Sequence, residues 1–413
     1  MPQKAWQQKG IFGRMNIELL APAGNLEKLK IAVQYGADAI YIAGHSFSLR
    51  QGANNFSYHE IRSAIDFAHE HHCSVYITVN AFLHDTEEKD LIEYLNDLEK
   101  LKPDALICSD MGVIVLARKH TTIPIHVSTQ SSVLNSEHAA IWKEMGVKRI
   151  VTGRELSIKE VASIKKKSGL EVEIFVHGAM CMAVSGHCSM STIVAERDSN
   201  RGGCIQNCRF KYRLYENENL VSKSHLLSSK DLCGISLITA CIENKIDSVK
   251  IEGRMKSNLY IASTVQAYAQ VISQIRMGLY PEVDYWSSEL KKLPHRGYTL
   301  GFLKSTAKLD SVFHLSGEIN EGYKMAGTVL DIDNQRSRFA FHVRNKLKAG
   351  DNIEVLTFDG KIVNVPVPKI QNLADKTMIY AQPNQIIWLP LKEGIAPDNV
   401  ARILIQANEN STK

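Results

Sequence analysis

From Ile17 onwards, the first part of the chain repeats one pattern of apolar and polar positions. A short, continuously apolar run is followed by a polar turn, an amphipathic helix and a turn into the next apolar run. Strands that are apolar on both faces and alternate with helices are typical of a parallel sheet covered by helices. We predict eight such strands, over Glu18–Gly24, Ala39–Ala43, Val75–Asn80, Ala105–Asp110, Ile123–Gln130, Arg149–Arg154, Val172–Val176 and Ser248–Arg254.

The number of strand–helix units selects the architecture. Eight units close a (β/α)8, TIM-like barrel. The alternative is an open, doubly wound sheet, but no G-x-G-x-x-G motif opens a helix after the first strand. The sequence therefore predicts an α/β protein whose barrel covers residues 17–280 and ends with a long helix, Leu259–Met277. Residues 1–16 are predicted to be an N-terminal extension.

After Gly322 the apolar period changes to two, and Gly-Asp and Asp-Gly turns separate short alternating runs. This pattern predicts a small antiparallel β-barrel over residues 321–408. Residues 281–320 are predicted to be a linker, and its His295–Phe302 segment a flap over the barrel mouth. Five basic residues in the second domain form either a solvated face or an RNA contact. They are Arg336, Arg338, Arg344, Lys346 and Lys348.

Composition narrows the cellular context. The 413 residues are 44% hydrophobic and carry a formal charge of +5, which is compatible with RNA binding but does not establish it. No apolar run approaches the ~18 residues of a membrane span. The N-terminus lacks the apolar core of a signal peptide. We therefore expect a cytoplasmic protein with no membrane partner, in a reducing compartment that keeps thiols free.

The segment 178–233, called the cysteine segment below, carries the most distinctive chemistry. Cys181, Cys188, Cys204 and Cys208 are separated by six, fifteen and three residues, and glycines and small residues lie between them. Four thiolates from one irregular segment are suited to an iron–sulfur cluster or a zinc ion. The irregular spacing favours a [4Fe–4S] cluster, because structural zinc usually recruits paired C-x2–4-C knuckles. Zinc remains open at this point.

Two other interpretations of the thiols are weaker. Buried cysteines that act as small hydrophobic residues account well for Cys73, Cys108 and Cys241, which lie in apolar elements, but poorly for four cysteines among glycines. Disulfides are disfavoured because the chain shows no secretory segment and is large enough to need no covalent staples.

Barrel active sites form where the strands end, so polar residues at strand ends are candidate site residues. Any one of them is also explained as a surface residue that ends a strand. His177 is the candidate for proton transfer near neutral pH, with a satisfied structural histidine as the alternative. The full set is Asn80, Asp110, Gln130, Arg154, His177, Glu252 and Arg254.

Several motifs in order make the chain resemble the collagenase-like peptidases, family thirty-two of the peptidases of unclassified mechanism. The resemblance spans about residues 17–400. The motifs are ELLAPAGN (Glu18–Asn25), E-x-F-x-H-G-A-x-C (Glu173–Cys181), G-x-C-x-x-S (Gly186–Ser191), G-C-x-x-x-C-R-x-x-Y (Gly203–Tyr212), S-K-D-L (Ser229–Leu232), K-I-E-G-R (Lys250–Arg254) and H-R-G-Y-T-x-G-F (His295–Phe302).

The length and C-terminal domain are similar to those of family members that hydroxylate tRNA. The resemblance implies a [4Fe–4S] cluster, prephenate as co-substrate in place of dioxygen, and 5-hydroxyuridine at the wobble position of tRNA as product. tRNA and prephenate are thus the expected partners, and a redox partner is a further expectation. The family pattern also favours Cys208 as the fourth ligand, since it precedes a basic-x-x-Tyr sequence, with Cys233 as the reserve.

The resemblance leads to specific expected roles. His177 and Glu252 are the expected catalytic groups, and the metal ligands are Cys181, Cys188, Cys204 and Cys208. Arginine binds carboxylates bidentately, which suits the two carboxylates of prephenate. The expected substrate-binding residues are Arg50, Asn80, Gln130, Arg154 and Arg254.

Two rival functions remain open. A peptidase needs an activated nucleophile or a metal-bound water, and the chain contains neither a G-x-S-x-G elbow nor an H-E-x-x-H helix. A His177–Cys181 pair is conceivable for such an enzyme. The third possibility is a non-catalytic RNA-binding or assembly protein with a structural metal.

Overall fold

The computed structural model describes residues 17–49, 55–305 and 318–405. The helices are α1 (Leu26–Gln34), α2 (Tyr58–Glu70), α3 (Glu88–Leu101), α4 (Met111–His120), α5 (Ser136–Glu144), α6 (Ile158–Ser168), α7 (Met190–Ala195), α8 (Ile238–Glu243), α9 (Asn258–Arg276) and α10 (Val283–Lys291). The strands of the first domain are β1 (Glu18–Pro22), β2 (Ala39–Ile42), β3 (Ser74–Val79), β4 (Ala105–Cys108), β5 (Ile125–Val127), β6 (Arg149–Val151), β7 (Glu171–Ala179), β8 (Tyr212–Glu216), β9 (Asn219–Ser224), β10 (Asp231–Cys233), β11 (Ser248–Ile251) and β12 (Tyr298–Thr299).

The strands β1 to β7 and β11 form a closed parallel barrel. Each strand pairs with the next along the chain, and β11 pairs with both β7 and β1, which closes the ring. The central strands are buried on both faces, between the barrel interior and the surrounding helices. The predicted (β/α)8 barrel is confirmed. Six of its strands are shorter than predicted, because the residues at their carboxyl ends belong to the loops, whereas β3 has the predicted length and β7 extends to Ala179.

Local sequence signals define where the helices begin. The Asn25 side chain accepts a hydrogen bond from the Lys28 amide at 2.9 Å, as its position before α1 predicts. Ser57 and Ser157 each form a capping box with the glutamate three residues later, Glu60 and Glu160. These caps fix the points at which the chain leaves each strand-to-helix loop, and therefore the edge of the barrel mouth.

The barrel interior is apolar in its middle and charged towards its amino-terminal end. Tyr41, Tyr76 and Ile107 belong to the apolar cluster inside the ring. Below them, the Arg149 guanidinium contacts Glu18 at 2.5 Å and Glu173 at 3.3 Å. Because each of these charges has an oppositely charged partner, the interior can hold them away from water.

The cysteine segment is a long insertion between β7 and β11. It contains a hairpin, β8–β9, and the short strand β10, which pairs antiparallel with β7. The strand β12 then adds to β10 in parallel, and an Arg296–Asp231 ion pair of 2.5 Å fixes this connection.

The prediction for residues 281–320 needs correction. Val283–Lys291 is a helix rather than linker, since its Trp286 and Leu290 are buried against the barrel. Within the predicted flap segment, Tyr298–Thr299 extends the sheet beside β10, and the flap role of the segment stays a prediction.

The second domain is an antiparallel sheet with strand order β17-β16-β22-β13-β14-β21-β18-β19, accompanied by the pair β15–β20. The predicted antiparallel domain is confirmed. Among the described residues the two end strands of this sheet, β17 and β19, each pair with one neighbour. The strands are β13 (Tyr323–Asp333), β14 (Arg338–Val343), β15 (Leu347–Lys348), β16 (Asn352–Leu356), β17 (Ile362–Pro366), β18 (Ile370–Asn372), β19 (Thr377–Met378), β20 (Tyr380–Ala381), β21 (Ile386–Pro390) and β22 (Val400–Leu404).

The two domains share a buried interface. Leu356 and Val400 of the second domain belong to the same apolar cluster as the barrel core. The Tyr35 hydroxyl on the barrel side donates to the Leu356 carbonyl at 2.7 Å and accepts from the Val400 amide at 2.9 Å. In the part of the chain that the structure describes, no helix has the length and apolar character needed to cross a bilayer.

Candidate active site at the barrel mouth

A cavity of about 710 Å³ opens at the carboxyl ends of the barrel strands, within the size range of small-molecule sites. The strand ends form its floor and one wall, and the cysteine segment forms the other wall. This is the end of the barrel at which TIM-barrel enzymes carry their active sites. Five of the predicted strand-end residues line it: Asn80, Gln130, Arg154, Glu252 and Arg254.

The four cysteines of the predicted ligand set all line this cavity. Cys181 is exposed, and Cys188, Cys204 and Cys208 are partly buried. Burial raises the pKa of Cys208 most, Arg209 lowers that pKa, and the neighbouring thiols Cys181, Cys204 and Cys188 raise it. The other three thiols are therefore close enough to Cys208 to affect its pKa electrostatically.

The backbone of the cysteine segment is held by its own polar side chains. The Ser191 hydroxyl, fully buried, accepts from the Ile205 amide at 3.2 Å and contacts Asn207 at 3.4 Å. The Asn200 side-chain amide donates to the Cys188 carbonyl at 3.3 Å. These bonds tie the Cys188 turn to the Cys204–Cys208 turn, which explains why a serine follows three residues after Cys188.

The thiols suit a thiolate-bound cofactor in their chemistry. The Met190 amide donates to the Cys188 sulfur at 3.4 Å, an interaction that stabilises a thiolate. Among the residues that the structure describes, no three His, Cys, Asp or Glu side chains are drawn together tightly enough to hold a metal ion. The four thiols are nevertheless of the donor type that iron–sulfur clusters and zinc ions use, and all four line one cavity.

Among the described residues, five lysine and arginine side chains line the cavity, and three of them, Arg154, Arg254 and Lys250, lie in a barrel strand or within three residues of its end; the other two are Arg209 and Lys256. The Arg154 guanidinium lies 4.0 Å from the centre of the Phe175 ring. Arg254, which is buried, is bonded to the Thr78 hydroxyl at 3.1 Å and lies near the Ser48 and Asn55 oxygens. These side-chain oxygens orient the guanidinium.

The third cation, Lys250, was missed by the sequence analysis. Its ammonium group lies 2.8 Å from Glu173 Oε1, 4.5 Å from the Tyr41 ring centre and 5.5 Å from that of Phe175. Lys250 is buried, yet it lines the cavity floor. A lysine inside an otherwise apolar strand was the available signal, because such a charge is retained only with a buried partner.

The remaining lining residues form short hydrogen-bonded pairs. The Asn80 amide donates to Gln130 Oε1 at 2.8 Å, and the Ser128 hydroxyl donates to the same oxygen at 3.1 Å. The Tyr41 hydroxyl lies 3.3 Å from Glu252 Oε2. The predicted residues Asn80, Gln130 and Glu252 are thus brought together at one mouth.

Other predicted residues lie elsewhere. His177 does not line the cavity: it is buried against Tyr268, Tyr260 and Tyr298, and its Nδ1 lies 3.3 Å from the Tyr268 hydroxyl. Burial lowers the pKa of His177 to about 3. Asp110 caps α4 by accepting from the Gly112 amide at 2.7 Å. Arg50 lies outside the described residues, and its predicted role stays a prediction.

The other cysteines are separate from the site. Cys73, Cys108 and Cys241 are buried in the core as predicted, and burial raises the pKa of each thiol. Cys233, the reserve ligand, does not line the cavity, and burial raises its pKa to about 11. The geometry therefore favours Cys208 over Cys233 as the companion of the other three thiols.

Comparison with known proteins is consistent across both domains. The tRNA hydroxylation protein P1 of Bacillus subtilis (strain 168) is 37% identical over 402 residues, which cover 93% of this chain and 94% of that protein. The tRNA hydroxylation protein P of Escherichia coli (strain K12) is 31% identical, covering 92% and 94%. The 23S rRNA 5-hydroxycytidine C2501 synthase of Escherichia coli (strain K12) is 32% identical, covering 82% of this chain and 52% of that protein.

The family profiles cover nearly all of the described chain. The profile "Peptidase family U32" matches residues 24–312, and the profile "Peptidase family U32 C-terminal domain" matches residues 321–402. The first match contains the whole barrel mouth and the four cavity thiols. The chain therefore belongs to peptidase family U32.

Proposed function

We propose that this protein is an RNA-modifying enzyme that hydroxylates tRNA, forming 5-hydroxyuridine at the wobble position with prephenate as co-substrate and a [4Fe–4S] cluster. The observation that carries the proposal is the cavity itself, which is lined by four thiols from the cysteine segment and by the cations Arg154, Lys250 and Arg254 from the barrel strands and their ends. Relatives that cover almost the whole chain are named tRNA hydroxylation proteins.

In this proposal Cys181, Cys188, Cys204 and Cys208 hold the cluster. When bound there, the cluster supplies one-electron transfer beside the substrate. The chain contributes the geometry of the wall, because the Ser191 and Asn200 hydrogen bonds hold the two thiol-bearing turns against each other. The half-buried sulfurs would be shielded from bulk water while Cys181 faces the opening.

The cations would bind the co-substrate. Prephenate carries two carboxylates, and Arg154 and Arg254 offer the planar donor groups that bind carboxylates in pairs. Lys250 adds a third positive charge on the floor, and its ammonium is oriented by Glu173 and the two rings.

The target base must leave its stack to enter the cavity, since its reacting edge is otherwise inaccessible. The Asn80–Gln130 pair presents amide groups at the mouth that can bind the polar edge of a uracil. Glu252, hydrogen-bonded to Tyr41, is the carboxylate of the wall and the proposed acceptor of a proton from the base.

The test combines metal analysis with product analysis. The protein is purified without oxygen, and we expect a brown protein with about four irons per chain. It is then incubated with tRNA lacking the modification and with prephenate, and nucleosides from digested tRNA are measured by mass spectrometry. A colourless protein holding one zinc, or unaltered wobble uridines after reaction with the iron-loaded protein, would refute the proposal.

Matched cysteine variants sharpen the test. Cys204→Ser and Cys208→Ser are expected to lose iron and product together. Cys233→Ser is the control, because it removes a thiol from the same segment that does not line the cavity. Retained iron in Cys208→Ser together with lost iron in Cys233→Ser would reassign the fourth ligand. Release of peptides from a protein substrate by the metal-loaded enzyme would instead support the peptidase alternative.

A further inference from the structure

The hairpin β8–β9 extends from the rim of the cavity and is exposed on both faces. Nearly every residue from Tyr212 to Ser224 is exposed or only partly buried, including the apolar side chains of Leu214, Tyr215 and Leu220. An isolated two-stranded hairpin is only marginally stable in water. This hairpin therefore exposes apolar side chains to solvent and contributes to neither hydrophobic core.

The base of the hairpin is attached directly to the cavity wall. The Tyr212 hydroxyl donates to the Asn207 carbonyl at 2.8 Å, and His225 Nδ1 lies 2.9 Å from the Arg209 carbonyl. Asn207, Cys208 and Arg209 all line the cavity. A macromolecule that places one of its groups in the cavity would therefore pass beside the hairpin.

One face of the hairpin carries two cations side by side. Arg213 and Lys223 are directly opposite each other across the two strands, and both are exposed. Within the described part of the chain, neither Arg213 nor Lys223 forms an ion pair. Like charges at opposed positions destabilise a strand pair. The juxtaposition thus costs stability in the free protein and is relieved when an anion lies across both side chains.

The same face carries an exposed ring. Tyr215 follows Arg213 by two residues, so its side chain is on the same face, and it pairs with Leu220; Tyr215 is 53% exposed. Exposed aromatic side chains beside cations are the elements with which proteins bind single-stranded nucleic acids, by stacking on bases and contacting phosphates. The carboxylates of the hairpin, Glu216 and Glu218, lie at its tip, away from the paired cations.

We propose that the face formed by Arg213, Tyr215, Leu220 and Lys223, called the hairpin face, binds the RNA substrate next to the nucleotide that enters the cavity. The two cations contact backbone phosphates, and Tyr215 stacks on an unpaired neighbouring base. The inference rests on the proposed RNA substrate and adds the surface that recognises it. An acidic protein partner on the same face is the competing outcome that the test separates.

The test measures binding of fluorescently labelled tRNA by anisotropy at several salt concentrations. The double variant R213A/K223A removes two phosphate contacts, so the magnitude of the slope of log affinity against log salt should fall by about 1.4 to 1.8. Tyr215→Ala should weaken binding by about tenfold with little change in that slope, because stacking is not ionic. Circular dichroism and iron content should match the parent, since the hairpin belongs to no core.

The matched control is K166A/K167A. These two exposed lysines lie in the last turn of α6, whose carboxyl end is at the opposite end of the barrel from the cavity, and they carry the same total charge. An unchanged slope is expected there. A hairpin variant with the parent's affinity and slope, or with the parent's binding but lost turnover, would overturn the inference and point to another partner. A parent protein that does not modify tRNA would instead count against the proposed function.

Discussion

Replacing Lys250 by methionine tests the buried charge pair beneath the cavity. Lys250 Nζ lies 2.8 Å from Glu173 Oε1, and the side chains are 5% and 0% exposed. Methionine has a similar shape but no charge, so the substitution leaves the Glu173 carboxylate buried with one fewer cation. Removing one partner of a buried ion pair typically costs about 3–5 kcal/mol.

The neighbours of Glu173 place the expected loss within this range. Arg149 still contacts Glu173 at 3.3 Å, but Arg149 also serves Glu18 and Glu171. We therefore expect a loss near the lower end, about 3 kcal/mol in the free energy of unfolding. Lys89→Met is the control: Lys89 pairs with Glu93 at 4.0 Å, with 88% and 68% exposure, and its loss should stay within about 0.5 kcal/mol.

The pH dependence of the stability difference between parent and variant provides a second, independent check. Burial alone would raise the pKa of Glu173, but Lys250 and Arg149 lower it below its usual value. In the parent, this stabilisation is present above the unfolded pKa of about 4.3 and is lost as pH falls through the folded pKa. Without Lys250 the pKa of Glu173 rises, so the folded variant takes up a proton more readily. The gap between parent and variant should therefore shrink as pH falls from 7 towards 5.

Urea unfolding at both pH values supplies the measurement, followed by fluorescence of the buried Trp142 and Trp286. The double variant K250M/E173Q removes both charges and should lose less than the sum of the two single variants. A loss below about 1 kcal/mol for Lys250→Met, or a gap that widens in acid, would refute the assignment of a charged, paired Lys250.

Three further predictions concern other buried positions. Arg402→Met leaves Glu289 and Glu354 without their shared guanidinium at the domain interface, while Lys292 still contacts both carboxylates, at 2.8 and 3.3 Å. The loss in urea unfolding should therefore lie near the lower end of the range, about 3 kcal/mol, and a loss under about 1 kcal/mol would contradict it. Gly178→Ala puts a Cβ 2.3 Å from the Glu252 carbonyl at φ +101°, and should unfold the barrel or displace the site. Gly350→Ala, at φ +90° with open space, should cost only about 1–3 kcal/mol, and equal losses would count against this reasoning. Because burial lowers the pKa of His177 to about 3, the unfolded chain gains a proton below pH about 6.5 that the folded chain refuses. As the pH falls from 7 to 5, His177→Gln should therefore lose less stability than the parent. Equal losses in the two proteins would contradict this explanation.

The barrel was predictable because its information is local. The strands are short apolar runs, six of the described α-helices begin at a side-chain cap, and the number of units sets the closure. The ends of the strands were less predictable. Asp110 and Gln130 come two and three residues after the ends of β4 and β5, yet one caps a helix and the other faces the cavity. Only the path of the loop separates these two outcomes.

The four cysteines of the site were predictable from the sequence, but the residues that surround them were only partly so. The presence of four thiols among glycines identified the segment, and the same four line the cavity. Among the cations of the cavity, Arg154 and Arg254 were predicted because they follow strand ends. Lys250 was not predicted, because it lies within a strand. The position of the Lys250 side chain depends on Glu173, which is 77 residues away in the sequence, and on the ring closure that brings β7 beside β11. Pairing across a closed barrel has no local sequence signal.

His177 shows how one irregularity in a strand can redirect a side chain. Glu173 and Phe175 point into the barrel, so the alternation of β7 would point His177 inward as well. The pairing of β7 with β11 shifts register between Lys250 and Ile251, so that Phe175 and then His177 oppose consecutive residues. A bulge of this kind inserts an unpaired residue, here Val176, and turns the following side chain. His177 therefore faces Tyr268 of α9, while the next residue, Gly178, approaches the Glu252 carbonyl.

That bulge also explains how the two walls of the cavity are joined. By turning His177 away, it lets β7 leave the ring and pair with β10, so the cysteine segment begins and ends against the same strand. The thiols are thereby fixed relative to Glu252 and Arg254, which follow β11 on the other side of β7. The positions of the thiols and of the cations consequently depend on one strand. A substitution at Gly178 should disturb both walls together, whereas a substitution in the exposed hairpin should leave both in place.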